Sequence, residues 1–318
     1  MDKTSKIYVA GHRGLVGSAI MRRLESAGYG NIITRAHAEL DLLNQQAVAD
    51  FFVKEKPEYV FLAAAKVGGI GANNTYPAQF IYENLQIECN IIHQSYLNGI
   101  KKLLFLGSVC IYPKFASEPV KEEYLLSGKL ESTNEPYALA KITGIKMCQS
   151  YNRQYGTNFI AVMPTNLYGP YDNFDLQKSH VIPAMIRKFH EAKINHEPSV
   201  KLWGTGNPRR EFLCSDDMAD GCVFLMNNFN PTKQQNETGE IFVNLGVGSD
   251  LTIKKLAELI QSVVGYEGVV EWDTSKPDGT PGRLMDSSAV NALGWKPKIN
   301  LKDGLQSAYE WFLKNLPS

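Results

Sequence analysis

No apolar run in this 318-residue chain reaches the ~18 residues that a membrane-spanning helix needs. A helical membrane protein is therefore excluded. The start, 1–6 (MDKTSK), passes directly into the first apolar run, so no secretory signal peptide is expected. Cysteine is sparse. Cys89, Cys110, Cys148, Cys214 and Cys222 are odd in number, widely spaced and free of any C-x-x-C pair. They read as free thiols of a reducing cytoplasm, not as a disulfide framework. Neither cysteine nor histidine recurs at zinc spacing, so no metal is expected. Charge of one sign is missing too. Lys+Arg is 33 and Asp+Glu is 33, which offers no global attraction for nucleic acid or an anionic membrane. There is no internal repeat and no low-complexity tract. With 44% apolar and 21% charged residues, composition excludes a disordered chain, a collagen and a coiled coil. At roughly 150 residues per domain, the length suits about two domains.

What is present is an alternation. Short apolar runs at 6–10, 31–35, 59–64, 102–107 and 158–163 read as buried strands. Helical patterns lie between them, over 45–54, 81–97 and 135–155, and after the first run, where Ile20, Met21 and Leu24 share a face and Gly28 and Gly30 end the pattern. This predicts an α/β fold: a doubly wound parallel sheet (Rossmann) covered by helices on both faces. After about residue 175 the rhythm breaks, and 195–200 and 230–238 read as loops. The expected organisation is a dinucleotide-binding domain over 1–175, rejoined by segments from about 210–250. A smaller α/β substrate domain takes most of 176–318.

Gly11, Gly14 and Gly17 are spaced three apart between the first strand and the first helix. Glycine permits a tight turn and close approach of a pyrophosphate, and a helix N-terminus attracts anions. Glycines serve plain strand-to-helix turns as well, but the strand–turn–helix setting favours a nucleotide. NAD binders place a carboxylate near the end of the second strand. Here 34–37 reads TRAH, with no carboxylate. Arg13 and Arg35 are available for a 2′-phosphate, which favours NADP(H). The alternative for Arg35 is a solvated surface cation.

Ser108 lies just beyond the fourth strand, 29 residues before Tyr137. Tyr137 and Lys141 sit at i and i+4, on one helix face. A nearby ammonium lowers a phenol's pKa, so Tyr137 is a candidate to exchange a proton with a carbonyl or hydroxyl that Ser108 also holds. Taken alone, Y-x-x-x-K recurs by chance; the glycine loop and a serine at a strand's carboxyl end give it weight.

Further segments carry a resemblance: 10–14 (AGHRG), 63–70 (AAAKVGGI), 72–77 (ANNTYP), 110–113 (CIYP), 133–137 (TNEPY), 164–170 (PTNLYGP), 179–183 (SHVIP), 203–204 (WG), 210–213 (REFL) and 276–280 (KPDGT). Over nearly its whole length the sequence resembles the extended short-chain dehydrogenase/reductase family, and within it the epimerase/reductases that turn GDP-4-keto-6-deoxy-D-mannose into GDP-L-fucose.

The resemblance implies roles. Ser108, Tyr137 and Lys141 would serve hydride transfer at C4, and Cys110 and His180 would be base and acid for epimerisation at C3 and C5. A 4-keto group acidifies the hydrogens at both carbons, a thiolate can remove one, and an imidazolium can return one from the opposite face. NADP(H) would touch Gly11, His12, Arg13, Gly14, Leu15, Val16, Gly17, Arg35, Asp41, Leu42, Ala63, Ala64, Lys141, Pro164, Asn166, Leu167 and His180. The GDP-sugar would touch Asn166, Lys188, Trp203, Arg210, Asp278 and Arg283. A homodimer is implied, with no nucleic-acid or membrane partner. Three positions depart from the family pattern: Val109 where serine is usual, Cys214 where histidine is usual, and Gly282-Arg283 in place of a more basic pair. They bear on which GDP-4-keto sugar is taken. Enzymes of this kind also handle GDP-4-keto 6-deoxyheptoses and 3,6-dideoxyhexoses. The Asp-Glu pair of sugar-nucleotide dehydratases is absent after Ser108, which speaks against dehydration.

Overall fold

The structure, a computed structural model, describes residues 1–176, 179–276, 278 and 282–315. Its short apolar runs become parallel strands because both faces are buried. They are β1 (Ile7–Ala10), β2 (Ile32–Ile33), β3 (Tyr59–Leu62), β4 (Lys102–Leu106) and β5 (Phe159–Pro164). With the later strand Phe242–Leu245 they form a parallel sheet, six-stranded among the described residues, in the order Phe242–Leu245, β5, β4, β3, β1, β2. Side chains alternate between its faces. Tyr8 joins the apolar cluster under α2 (Gln45–Glu55), whereas Ile7 and Val9 join the one under α1 (Leu15–Ser26).

The first cluster is closed by α4 (Pro77–Leu97) and α5 (Glu135–Tyr155), through Ile91, Ile92, Ile142 and Ile145. The helix Ser215–Asn228 packs beside α1 over the second cluster. Proline in its first turn and left-handed Gly156 at its end delimit α5. Fully buried Phe52, Phe61 and Phe105 each contribute roughly 1.5–3 kcal/mol of hydrophobic stabilisation.

A third apolar cluster stands apart from the sheet. Ile186 and Phe189 of α6 (Val181–Ile194), Ile260 of the helix Ile253–Val264 and Phe312 of the helix Leu301–Lys314 surround Val200 and Leu202. Those two belong to the strand Ser199–Trp203, which pairs in parallel with Val269–Asp273.

Local details differ from the sequence reading. The second strand is only two residues long, because it lies at the sheet's edge beside β1. A six-residue helix, α3 (Ile70–Thr75), precedes α4, which starts a turn early at Pro77. Lys233–Thr238 is a helix inside the expected loop, started by a capping box between Thr232 and Gln235. Ser199 and Val200 already belong to a strand.

Candidate active site

Because β1, β3, β4 and β5 run in parallel, their carboxyl ends share one edge. Gly11, Ala63, Ala64, Ser108 and Pro164 therefore gather there, and the strand order turns back at β1, where such sheets bind nucleotides. Gly11 has φ +84°, and a Cβ on it would stand 2.7 Å from the Ala64 nitrogen. A Cβ on Gly17 would overlap the Gly11 carbonyl. The fold thus requires both. Gly14 is different: its nearest neighbour, the Gly11 oxygen, would lie at an ordinary 3.5 Å. Nothing in the protein demands glycine there, so the cleared space faces outward. Gly14 also heads α1 without a side-chain cap, and no acid occupies the first turn. The first N–H groups of α1, from Leu15 and Val16 onward, lack intrahelical acceptors. Beside them, buried Nδ1 of His12 has no hydrogen-bond partner among the described residues. An uncapped helix N-terminus, an outward cradle and an orphaned polar atom fit a dinucleotide pyrophosphate.

The two arginines diverge. Arg35 donates to Glu55 at 2.5 Å and to the Thr34 carbonyl at 2.7 Å, and its guanidinium lies 5.5 Å from the Phe51 ring centroid. It is thus already paired rather than simply solvated. Arg13 is exposed and has no ion-pair partner among the described residues. Asp41 is exposed, bonds the Leu43 N–H at 3.0 Å and faces His37. The Leu42 carbonyl accepts from Asn90 at 2.7 Å.

Ser108 follows β4 and heads a short 3-10 turn, Val109–Ile111, with its Oγ accepting from the Cys110 N–H at 3.4 Å. Its hydroxyl lies close enough to the Tyr137 phenol and the Cys110 thiol to lower the pKa of both. Lys141, one turn along α5 from Tyr137, is buried with its Nζ 5.8 Å from the Tyr137 ring centroid. The structure therefore brings Ser108, Cys110, Tyr137 and Lys141 together. His180 heads α6 and makes no hydrogen bond to any of them. It is open to solvent, yet enough protein surrounds it to lower its pKa from 6.5.

One electrostatic expectation changes. Burial raises the Tyr137 pKa well above 10, reinforced by Cys110 and Glu88 and opposed only by the Ser108 hydroxyl. Lys141 does not dominate it, because its ammonium pairs with the Glu88 carboxylate at 3.1 Å. Tyr137 is therefore protonated at neutral pH. Burial also raises the Cys110 pKa, while Ser108, Lys141 and Arg283 pull it down.

The expected sugar contacts fall into two groups. Lys188 reaches the Lys201 carbonyl at 3.3 Å, Trp203 is 67% exposed, and Asp278 accepts from the Thr205 N–H at 2.8 Å and its hydroxyl at 2.7 Å. The Asp278 carboxylate thus braces a turn. Pro277, Gly279 and Thr280 of the same motif lie outside the described residues. Nearer Cys110, Arg283 donates to the carbonyls of Val109 (3.2 Å), Tyr112 (3.4 Å) and Pro113 (3.4 Å). Burial, then the Arg283 charge, lowers the Arg210 pKa. Two such neighbouring cations suit a diphosphate. Asn166 and Leu167 lie on β6 (Asn166–Tyr168), where the Asn166 amide donates to the Glu211 carbonyl at 2.9 Å.

Sequence reasoning missed Glu88 and Glu211. Glu211 is fully buried and accepts N–H bonds from Val247 (2.6 Å), Gly248 (2.7 Å) and Met285 (3.1 Å), tying three segments under the site. The signal for Glu88 was a carboxylate on an apolar helix face, one turn after Asn84, with Ile91 and Ile92 beyond.

A parallel sheet with a glycine loop at its turning point, and Ser, Tyr and Lys beside it, defines a dinucleotide-dependent α/β enzyme. The chain belongs to the NAD dependent epimerase/dehydratase family, which matches residues 7–244. It is 58% identical over 315 residues to GDP-L-fucose synthase 1 of Arabidopsis thaliana, covering 99% of this chain and 95% of the relative. It is 55% identical over 311 residues to the GDP-L-fucose synthase of Escherichia coli (strain K12), covering 98% and 97%. A solved GDP-mannoheptose C4 reductase from Campylobacter jejuni with NADP bound superposes with a TM-score of 0.89 at 45% identity, covering 98% of this chain and 99% of that one.

Proposed function

We propose that this enzyme converts GDP-4-keto-6-deoxy-D-mannose to GDP-L-fucose, by epimerisation at C3 and C5 and then reduction at C4 with NADP(H) as cofactor. The observation that carries the reading is Cys110, whose N–H donates to the Ser108 hydroxyl at 3.4 Å and whose thiol stands close enough to Tyr137 for each to act on the same site. A reductase alone has no use for a thiol there. Identity of 55–58% to the two named synthases supports the substrate.

The loop from Gly11 to Gly17 would hold the pyrophosphate, with Arg13 at the 2′-phosphate. NADPH supplies the hydride when bound. The chain's own residues handle protons. Cys110 removes the hydrogen from C3 or C5 as thiolate, and His180 returns one from the other face. Ser108 and Tyr137 hold the C4 oxygen while charge builds there as the enolate forms. Tyr137, protonated at neutral pH, then gives its proton to that oxygen as the alcohol forms. Arg210 and Arg283 would meet the diphosphate, and Lys188, Trp203 and Asp278 the rest of the GDP-sugar.

We infer that 1–175, with segments from about 210–250, form the cofactor body, and that 176–318 mainly form the sugar-nucleotide body. The separate apolar cluster around Phe189 and Ile260 supports this division. We also infer a cytoplasmic homodimer joined through α4 and α5, whose exposed Tyr82, Leu97 and Tyr155 offer apolar surface. Light scattering that returns a 35.5 kDa particle refutes the dimer.

The test is NADPH oxidation with GDP-4-keto-6-deoxy-D-mannose, followed by NMR of the product. GDP-L-fucose establishes the reading; an unepimerised GDP-6-deoxyhexose refutes it. The second outcome favours another reading, a C4 reductase or an epimerase/reductase for another GDP-4-keto sugar such as a 6-deoxyheptose or 3,6-dideoxyhexose. Resemblance to the heptose C4 reductase supports that alternative.

A further inference from the structure

Glu88 sits on α4 and its partner Lys141 on α5, each with a side chain only 2% exposed. Among the described residues, no hydrogen-bond donor other than the Lys141 ammonium reaches either carboxylate oxygen. The pocket is shaped for this pair. A Cβ on Gly144, on α5 just past Lys141, would press on the Phe105 ring and stand 2.9 Å from Glu88 Oε2. The Phe105 ring, with its centroid 4.7 Å from the Lys141 Nζ, closes another side.

A buried ion pair is a poor device for stability, since well-packed apolar residues of similar volume are often at least as stable. Its place, with the ammonium 5.8 Å from the Tyr137 ring centroid, suggests another purpose. An unpaired ammonium there favours phenolate, and a phenolate has no proton for the C4 oxygen.

We propose that Glu88 is a positioning residue for the reduction: its carboxylate holds the Lys141 ammonium in place and offsets part of its charge at Tyr137, adding to the burial that keeps the phenol a proton donor. This rests on the reduction proposed above. The titratable groups facing the pair are Tyr137 and Cys148 on α5, Cys110 after β4 and Cys89 on α4 itself. None of them supplies a second cation, and burial pushes the Glu88 carboxyl up to about 7 against the pull of Lys141, so the local charge is set between these two groups.

The experiment follows the tyrosinate absorbance of the protein without substrate, in wild type, Glu88→Gln and Gly144→Ala. Each is read against the same chain carrying Tyr137→Phe, so that only the Tyr137 signal remains. The expected result is Tyr137 ionising about one pH unit lower or more in Glu88→Gln, a tenfold rise in acidity. Gly144→Ala, which displaces the carboxylate, is expected to shift it the same way. Glu88→Asp, which keeps the charge, is expected to return it toward wild type. With substrate, the alkaline limb of kcat is expected to fall by the same amount while KM changes little. A Tyr137 that ionises at the same or higher pH in Glu88→Gln overturns the proposal, even where stability has dropped. Absence of turnover in wild type, with the titration shift intact, refutes the proposed reaction and leaves Glu88's influence on Tyr137 standing.

Discussion

The Lys102 ammonium, buried in β4, donates to the Phe229 carbonyl at 2.5 Å, just past the end of the helix Ser215–Asn228. It also reaches the carbonyls of Leu225 and Met226, both at 3.0 Å. A lysine inside a strand here closes the end of a helix from far along the chain. Lys102→Met keeps most of the volume but leaves two buried carbonyls, those of Met226 and Phe229, without a donor, while Leu225 keeps the Phe229 N–H at 3.0 Å. The expected loss is about 2–4 kcal/mol of stability. Melting should fall by several degrees, with NADPH affinity little changed. Unaltered melting would show that the helix end is satisfied some other way.

The glycine loop separates fold from ligand. Gly17→Ala has no room against the Gly11 carbonyl and should destabilise the protein. Gly14→Ala has room, so stability should stay within about 1 kcal/mol, the scale of an N-cap change. NADPH affinity should nevertheless fall at least tenfold. Melting curves and fluorescence titration together check this. Wild-type affinity in Gly14→Ala would remove the pyrophosphate from the loop.

Arg13 and Arg35 should separate as well. Arg13→Ala is expected to lower kcat/KM for NADPH about tenfold or more while sparing NADH, since charge-assisted bonds to phosphate are worth roughly 1.5–3 kcal/mol. Arg35→Ala loses the Glu55 pair instead, a partly exposed contact worth about 1 kcal/mol at most. The measurement is the NADPH/NADH ratio in each variant. Equal losses of preference would contradict the assignment.

Proton exchange at C3 and C5 should vanish in Cys110→Ser and His180→Ala, with reduction persisting in part. Its pH profile should be broad. The His180 pKa is lowered from 6.5 and the Cys110 pKa is raised from 9.0, so thiol and neutral imidazole dominate between them. The productive thiolate–imidazolium form is then a small and constant fraction across that plateau. It falls below the His180 limb, where the thiolate is protonated, and above the Cys110 limb, where the imidazolium is lost. Solvent deuterium uptake at C3 and C5 measures it. A narrow peak centred between 6.5 and 9.0 would assign the limbs to other groups.

Much of this was legible in advance, for identifiable reasons. The helix 135–155 was readable in full because Pro136 and Gly156 mark its ends and its pattern is long. Gly11, Gly14 and Gly17 were visible as a loop, yet only neighbouring atoms show that two serve the fold and one serves a ligand. The strand at 31–35 was overdrawn, because propensity does not say that an edge strand ends early. The helix Lys233–Thr238 was read as loop although Thr232 and Gln235 carried its capping signature.

The sequence by itself determined the alternating elements, the α/β class and the residue types of the site, since periodicity, glycine placement and i, i+4 spacing are local properties. Only the tertiary structure decided charge and partnership. Arg35 meets Glu55 rather than open solvent, and Glu88 meets Lys141 through two packed helices. The Tyr137 phenol stays protonated through burial despite an ammonium one helical turn away. Distance and desolvation set those outcomes, and neither is defined until the chain has folded.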